Sequence, residues 1–441
     1  QLPALVLHGP VLVVSPLIAL MQDQQDKLSE LDVPVAKLDS TLNADEKREA
    51  LREIDEGEAE LIYVTPERLE NAEQLELLKA RKPSLFVVDE AHCVSQWGHD
   101  FRPAYLGLRD AVRELGGPPI LALTATATPA VIDDIARQLA MRSPEVVHTG
   151  VERPNLFLEV QRSPSDTVKQ EHLLEIVRGT EGVGIVYAAT VRVAKEVHAF
   201  LLASGIAAGV YHGKLTSSQR GESQQAFMAD EFEVMVATNA FGLGIDKPDI
   251  RFVVHYNFPD SLESYYQEAG RAGRDGLPAR VALLYRLEDK RVQLYFMRGR
   301  YPRREESLRF IAAFDGSEPA ESSARTIAEL SAQLNLSERR CKVIAAQLEC
   351  VGIVARSRGG VRMVRAFADG AEAETVLSAY ELRHRSDRQR LELMMRYAQS
   401  ARCRMVHVRE YFGEPAQADC GHCDNCHAHA RGEAAAGLAA S

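Results

Sequence analysis

The chain has 441 residues, with 52 Lys and Arg against 63 Asp and Glu, a formal net charge of −11 and a hydrophobic fraction of 46%. That length exceeds what one hydrophobic core serves, so several domains are expected, and the apolar content excludes a wholly disordered chain. No apolar run approaches the roughly 18 residues of a membrane span, and the net acidity excludes a uniformly phosphate-attracting surface. The start, Gln1-Leu2-Pro3-Ala4-Leu5, has no basic n-region and no initiator Met. It predicts a chain without a signal peptide that begins mid-protein.

The first part alternates short continuous apolar runs with helical patterns. The runs are Val11–Val14, Leu61–Val64, Leu85–Val88 and 120–123. Such runs suit strands buried on both faces with helices between them, the pattern of a doubly wound parallel sheet. A second set follows at Gly184–Tyr187, Val234–Ala237, Phe252–His255 and 280–285, with 151–155 as the linker. The predicted fold is therefore α/β: a first doubly wound domain over 1–149 and a second over 150–289.

After a helical linker over 290–317 the strand runs fade. Ile327, Leu330, Leu334 and Leu336 space helically, Ser337 can cap a second helix through Leu348, and Gly359-Gly360 marks a hairpin. Helix, turn, helix and hairpin predict a winged-helix domain over 318–370. Residues 371–428 read as paired helices followed by clustered cysteines, and 429–441 as a tail. Arg383, Arg385, Arg388, Arg390, Arg396, Arg402, Arg404 and Arg409 crowd one stretch. They read equally as a phosphate-binding face or a solvated helix face.

Two constellations carry chemistry. Asp89-Glu90-Ala91-His92 directly follows a buried run. A strand ending in two carboxylates places them at the C-terminal edge of a parallel sheet, where ligands bind. Such an Asp helps hold Mg²⁺ and the next Glu can orient an attacking water. Cys403, Cys420, Cys423 and Cys426 form C-x₁₆-C-x₂-C-x₂-C. Thiolates at that spacing converge on one tetrahedral Zn²⁺, with no open position for catalysis. A disulfide framework is the competing reading. His422 and His427 read as bystanders.

The stretch from Asp89 to Pro103, with the chain's single Trp at 97, resembles the DEAH box and aromatic-rich loop of RecQ-family DNA helicases, in superfamily 2. Further blocks follow in that family's order. Val14 to Gln24 resembles motif Ia, Tyr63 to Leu69 motif Ib, and Leu123 to Ala127 motif III. Val236 to Pro248 resembles motif V, and Ser264 to Gly276 motif VI. The resemblance runs from Gln1 to about Leu287, and the cysteine module with Tyr411-Phe412-Gly413-Glu414 also resembles the family's.

The resemblance implies two RecA-like domains that clamp ATP and Mg²⁺ between Asp89 and Glu90 on one side and Arg271 and Arg274 on the other, with Arg274 as arginine finger. Their three-residue spacing lets both face one way from a helix. It adds His92 and Gln267 to the catalytic set, and Gly244 and Asp246 to the nucleotide contacts. Ser15, Thr65 and Thr238 would line the DNA track without reading bases. Trp97, Phe101 and Arg102 would couple DNA contact to hydrolysis. The implied partners are single-stranded and forked or partly duplex DNA, with no membrane. The implied activity is 3′-to-5′ unwinding in DNA repair and recombination, in the bacterial cytoplasm or nucleoid.

Two departures stand out. No G-x-x-x-x-G-K-[ST] phosphate loop occurs in the 441 residues. The expectation is that a first-domain piece carrying that loop, its strand and the family's adenine-contacting Gln precedes Gln1, and that the chain taken literally does not hydrolyse ATP. The predicted winged helix also precedes the cysteine module, where the family usually has it after. Arg339, Arg340, Arg356, Arg358, Arg362 and Arg365 suit either duplex contact or a structural wing. A non-catalytic DNA-binding protein derived from a helicase core, and an RNA helicase of the same superfamily, are the competing readings.

Overall fold

In this computed structural model the described residues are 1–95, 102–241, 245–300, 303–314, 324–357, 360–415 and 418–432. They form two compact units, Gln1–Asp289 with Leu391–Ser441, and Lys290–Arg390.

The first unit holds two parallel sheets. Strands β1 (Val11–Val14), β2 (Val35–Leu38), β3 (Leu61–Val64), β4 (Leu85–Val88) and β5 (Ile120–Ala122) stand in the order β2-β3-β1-β4-β5. Strands β6 (Leu156–Arg162), β7 (Gly184–Tyr187), β8 (Ala208–Tyr211), β9 (Val234–Ala237), β10 (Phe252–His255) and β11 (Ala279–Tyr285) stand in the order β6-β11-β10-β7-β9-β8. These are two RecA-like domains.

The continuous runs form strands because both faces are covered. Leu12, Val14, Ile62, Val64, Phe86 and Val88 enter one core. Their alternates Val11, Val13, Leu61, Tyr63 and Val87 enter another on the opposite face. Three strands, β2, β6 and β8, were not expected. Each carries a residue that interrupts an apolar run. In β2 the buried Lys37 pairs with Asp39 at 3.2 Å, and in β6 Glu159 pairs with Arg280 of β11. Paired in this way, one charge with a residue two positions on and the other with a neighbouring strand, charged positions become compatible with a strand interior.

The second unit has the element order of a winged helix. Helix Ile327–Leu334 opens with a Thr326/Glu329 capping box and closes on Asn335 at φ 52°. Ser337 caps helix Glu338–Cys350 by accepting from Arg340 N. Strands β12 (Val354–Ser357) and β13 (Gly360–Met363) pair antiparallel, and Arg325 bridges to Val361. Phe310, Leu330, Ile344, Leu348, Val354 and Met363 share its core.

The expected helical pair is one long helix, Gly370–Gln399, and one short one, Arg404–Tyr411, followed by Asp424–Ala430. Among the described residues no helix is long and apolar enough to cross a membrane.

Candidate active site and metal centre

Three parallel strands end together, and the acidic pair sits at that edge. Ser15 N donates to Val64 O at 3.1 Å and Asp89 N to Val14 O at 2.9 Å, so the ladder runs one residue past each strand. Ser15 thus lies beside Asp89, and its hydroxyl donates to Asp89 Oδ2 at 2.9 Å. Burial, reinforced by the charge of Glu90, pushes the Asp89 carboxyl above the usual aspartate range.

Glu90 adopts φ 47°, a left-handed conformation that costs a non-glycine residue roughly 1–2 kcal/mol. The turn brings Ala91 N to Leu123 O at 2.8 Å, just past β5. His92 Nδ1 lies 3.2 Å from Glu90 Oε2 and 3.0 Å from Thr124 Oγ1. His92 therefore links the acidic pair to the segment after β5.

A cleft of about 450 Å³ opens between this edge and the second sheet. Gln24, Glu90 and Thr126 line one wall; Asp246, Gln267, Arg271 and Arg274 line the other; residues 150–153 complete it. Arg271 and Arg274 do not sit on a helix as their spacing suggested. Helix Leu262–Ala269 ends before them, and a turn carries both. Gly273 makes that turn possible. It holds φ 56°, and a Cβ there would meet Asn155 Nδ2 at 2.5 Å and Leu277 O at 2.7 Å.

Arg271 is 6% exposed. Arg274 Nη1 lies 2.9 Å from Asp246 Oδ1, and Lys27 Nζ lies 2.9 Å from Asp246 Oδ2. The Lys27 hydrogen bond, then burial opposed by Arg274, leaves the Asp246 carboxyl below the usual range. Lys27 comes from helix Ile18–Ser29 of the first lobe, so one carboxylate bridges the cleft. Nothing in the sequence pattern marked Lys27, because a lone Lys on a polar helix face reads as solvated.

The four cysteine sulfurs lie within 4.8 Å of one another, and none is in a disulfide. Cys420 Sγ and Cys426 Sγ are 3.9 Å apart, close to the roughly 3.8 Å edge of a tetrahedron with ~2.3 Å Zn–S bonds. Backbone N–H groups of Cys420 and Arg404 donate to the sulfurs of Cys403 and Cys423 at 3.2 and 3.4 Å. Such donors stabilise thiolates, so the residues fit Zn²⁺. His422 turns to Cys420 O at 2.7 Å, and the His427 ring lies 5.3 Å from that of Phe157. Neither joins the cluster.

Three domain families match the chain: DEAD/DEAH box helicase over 1–135, Helicase conserved C-terminal domain over 168–276, and RecQ zinc-binding over 360–427. The ATP-dependent DNA helicase RecQ of Bacillus subtilis (strain 168) is 46% identical over 299 residues, which is 67% of this chain and 50% of that protein. The protein of the same name from Pasteurella multocida (strain Pm70) is 42% identical over 291 residues, 66% of this chain and 45% of that protein.

The chain belongs to the RecQ family of superfamily 2 helicases.

It spans about half the length of these curated relatives. Among solved structures, Mycobacterium smegmatis helicase Lhr bound to ssDNA and AMP-PNP aligns at TM-score 0.51 and 18% identity, over 84% of this chain and 54% of that one. DUF1998 helicase MrfA bound to DNA aligns at TM-score 0.53 and 17% identity, over 83% of this chain and 55% of that one. At these identities they speak to the fold alone.

The other expected residues of this RecQ-family chain fall as follows. Thr65 and Thr238 sit just past β3 and β9 and are 6% and 7% exposed. Arg102 Nη1 donates to Pro16 O at 3.2 Å, tying the segment after the DEAH box to motif Ia. Trp97, Phe101, Gly244 and Arg358 lie outside the described residues, as do the Arg339 and Arg356 side chains. In the second unit Arg362 is exposed, whereas Arg365 pairs with Glu372 at 2.7 Å and Arg340 with Glu306 at 2.9 Å.

The late arginine stretch is split: Arg385, Arg388, Arg396 and Arg402 are exposed, whereas Arg404 and Arg409 are buried. Arg402 holds Glu410 at 2.6 Å, Arg404 holds Asp424 at 2.9 Å, and Arg409 pairs with Glu152.

Proposed function

We propose that the protein is an ATP-dependent DNA helicase of the RecQ type, moving 3′ to 5′ on single strands and separating forked or partly duplex DNA. The observation that carries the reading is one cleft with Glu90 on one wall and Arg271 and Arg274 on the other. Phosphoryl transfer needs an acidic metal-holding group and cationic groups on opposite sides of the transferred phosphate.

The residues fit Mg²⁺. Asp89 and Glu90 place two adjacent carboxylates at the strand edge, and the Ser15 hydroxyl donates to Asp89 Oδ2 at 2.9 Å, an oxygen donor set suited to a divalent cation. Asp89 would hold the ion, with Ser15 orienting its carboxylate. When bound, Mg²⁺ supplies charge neutralisation at the phosphates.

Glu90 orients the attacking water, and His92 relays the state of that carboxylate to the segment after β5. Arg274 neutralises charge on the γ-phosphate. To reach it, Arg274 exchanges Asp246 for phosphate, and Asp246 keeps Lys27. That ion pair is 37% and 49% exposed, so breaking it costs at most about 1 kcal/mol. Gln267 and Arg271 complete the wall. Residues 1–441 contain no phosphate loop, so hydrolysis under this reading needs such a loop from outside these residues.

Thr65 and Thr238 contact the strand backbone, and Trp97, Phe101 and Arg102 report its presence to the DEAH box. Arg356, Arg358 and Arg362 contact duplex. The site of action is the bacterial cytoplasm or nucleoid, in DNA repair and recombination. Strand-separation assays on the full protein test the reading. It expects unwinding of 3′-tailed forks and none of matched RNA. Equal or better unwinding of RNA would overturn it.

A further inference from the structure

The segment joining the two RecA-like lobes is held by a carboxylate from the zinc module. Residues 150–153 line the cleft. Within them Val151 N–H donates to Glu414 Oε1 at 2.7 Å, and Val151 O accepts from the Tyr266 hydroxyl. Arg409 Nε lies 3.5 Å from Glu414 Oε2, and the same guanidinium pairs with Glu152. The Arg409 and Glu414 side chains are only 9% and 15% exposed.

The turn carrying Glu414 also reaches the first lobe. Gly413 has φ 82°, and a Cβ there would meet Pro129 Cγ at 2.4 Å. On the other side of the linker, Arg153 Nη2 donates to Ala272 O at 3.0 Å and Gly273 O at 2.8 Å, inside the turn that carries Arg271 and Arg274.

We infer that Glu414, supported by Arg409, is a positioning residue for the cleft: it fixes the inter-lobe backbone at Val151, and through Arg153 the turn bearing the two cleft arginines. Charge-assisted acceptors bind backbone N–H about twice as strongly as neutral ones. Val151 is gripped at both its N–H and its C=O, by the side chains of Glu414 and Tyr266. Cys403 is the N-cap of helix Arg404–Tyr411, from which Arg409 and the Glu414 turn project. Loss of Zn²⁺ therefore loosens the cleft at a distance, although none of the four cysteines lines it. The catalytic consequence rests on the nucleotide-cleft reading; the contact itself does not.

Amide hydrogen exchange on the zinc-loaded chain, without nucleotide or DNA, tests this. Glu414→Ala is expected to raise exchange at Val151 about tenfold or more. Glu414→Gln, which keeps an oxygen acceptor, stays within about threefold of the parent. Chelating zinc reproduces the Ala effect over residues 148–155 while amides of β4 stay protected. The inference is overturned if Val151 stays protected in the Ala variant, if Gln and Ala exchange alike, or if β4 loosens equally. Should Glu414→Ala not fold, the chelation arm decides: Val151 still protected after zinc removal refutes the coupling. Failure of the helicase reading would appear in strand separation and leave this measurement untouched.

Discussion

Replacing Arg404 with Met probes how the zinc module is welded to the second lobe. Arg404 is 1% exposed. Its guanidinium donates to Asp424 Oδ1 and Oδ2 at 2.9 and 3.0 Å, and to Tyr397 O at 2.7 Å. Asp424 also accepts from Val160 N, in β6, at 2.9 Å. Met fills much of the volume but leaves the half-buried carboxylate with only the backbone donors Val160 N and Asn425 N, at 2.9 and 2.6 Å, and Tyr397 O with only Ser400 N at 3.3 Å. Breaking one side of a buried pair costs about 3–5 kcal/mol. A unit the size of the second lobe loses about 2–4 °C of melting temperature per kcal/mol, so a fall of about 6–20 °C is expected. Calorimetry with zinc held in constant excess reads the fall without confusing it with metal loss. Arg404→Met/Asp424→Leu removes both charges and should recover part of it, short of full recovery because Val160 N–H and Asn425 N–H lose their acceptor. A fall under about 2 °C, or a double variant no better than the single one, would refute the reasoning.

Arg274→Ala in the full protein should lower kcat for ATP hydrolysis by about 10³-fold or more with DNA affinity retained; hydrolysis at the parental rate would remove Arg274 from the role of finger. Proton competition at Asp89 sets a pH dependence for Mg²⁺. Because its carboxyl titrates above the usual range, Mg²⁺ affinity measured by calorimetry should begin to fall at a higher pH than for an ordinary aspartate as pH is lowered. A profile unchanged in Asp89→Asn would contradict this. Replacing Arg356, Arg358 and Arg362 together with Ala should weaken duplex binding and flatten its salt dependence, and unchanged affinity at low salt would sink the duplex-contact role.

Much of the site was legible because parallel-sheet chemistry concentrates function where apolar runs stop. Val14 precedes Ser15, Val88 precedes Asp89, and Ala237 precedes Thr238, so reading strand ends located the edge residues. Four thiolates at metal spacing were equally legible, since a cluster whose ligands share short loops is encoded locally.

The illegible parts are long-range polar contacts. Glu414 finds Val151 across 263 residues of sequence, and Lys27 finds Asp246 across 219. No periodicity announces such pairs. The same physics hid β6, where Glu159 is neutralised by Arg280 of β11. It also split the arginine stretch, where Arg404 and Arg409 face protein carboxylates although their neighbours in sequence suggested one surface.

ATP hydrolysis with and without single-stranded DNA, on protein that carries a phosphate loop ahead of these residues, tests the central claim most directly. The account predicts hydrolysis that single-stranded DNA stimulates. DNA binding with no hydrolysis would contradict it and leave a non-catalytic DNA-binding protein.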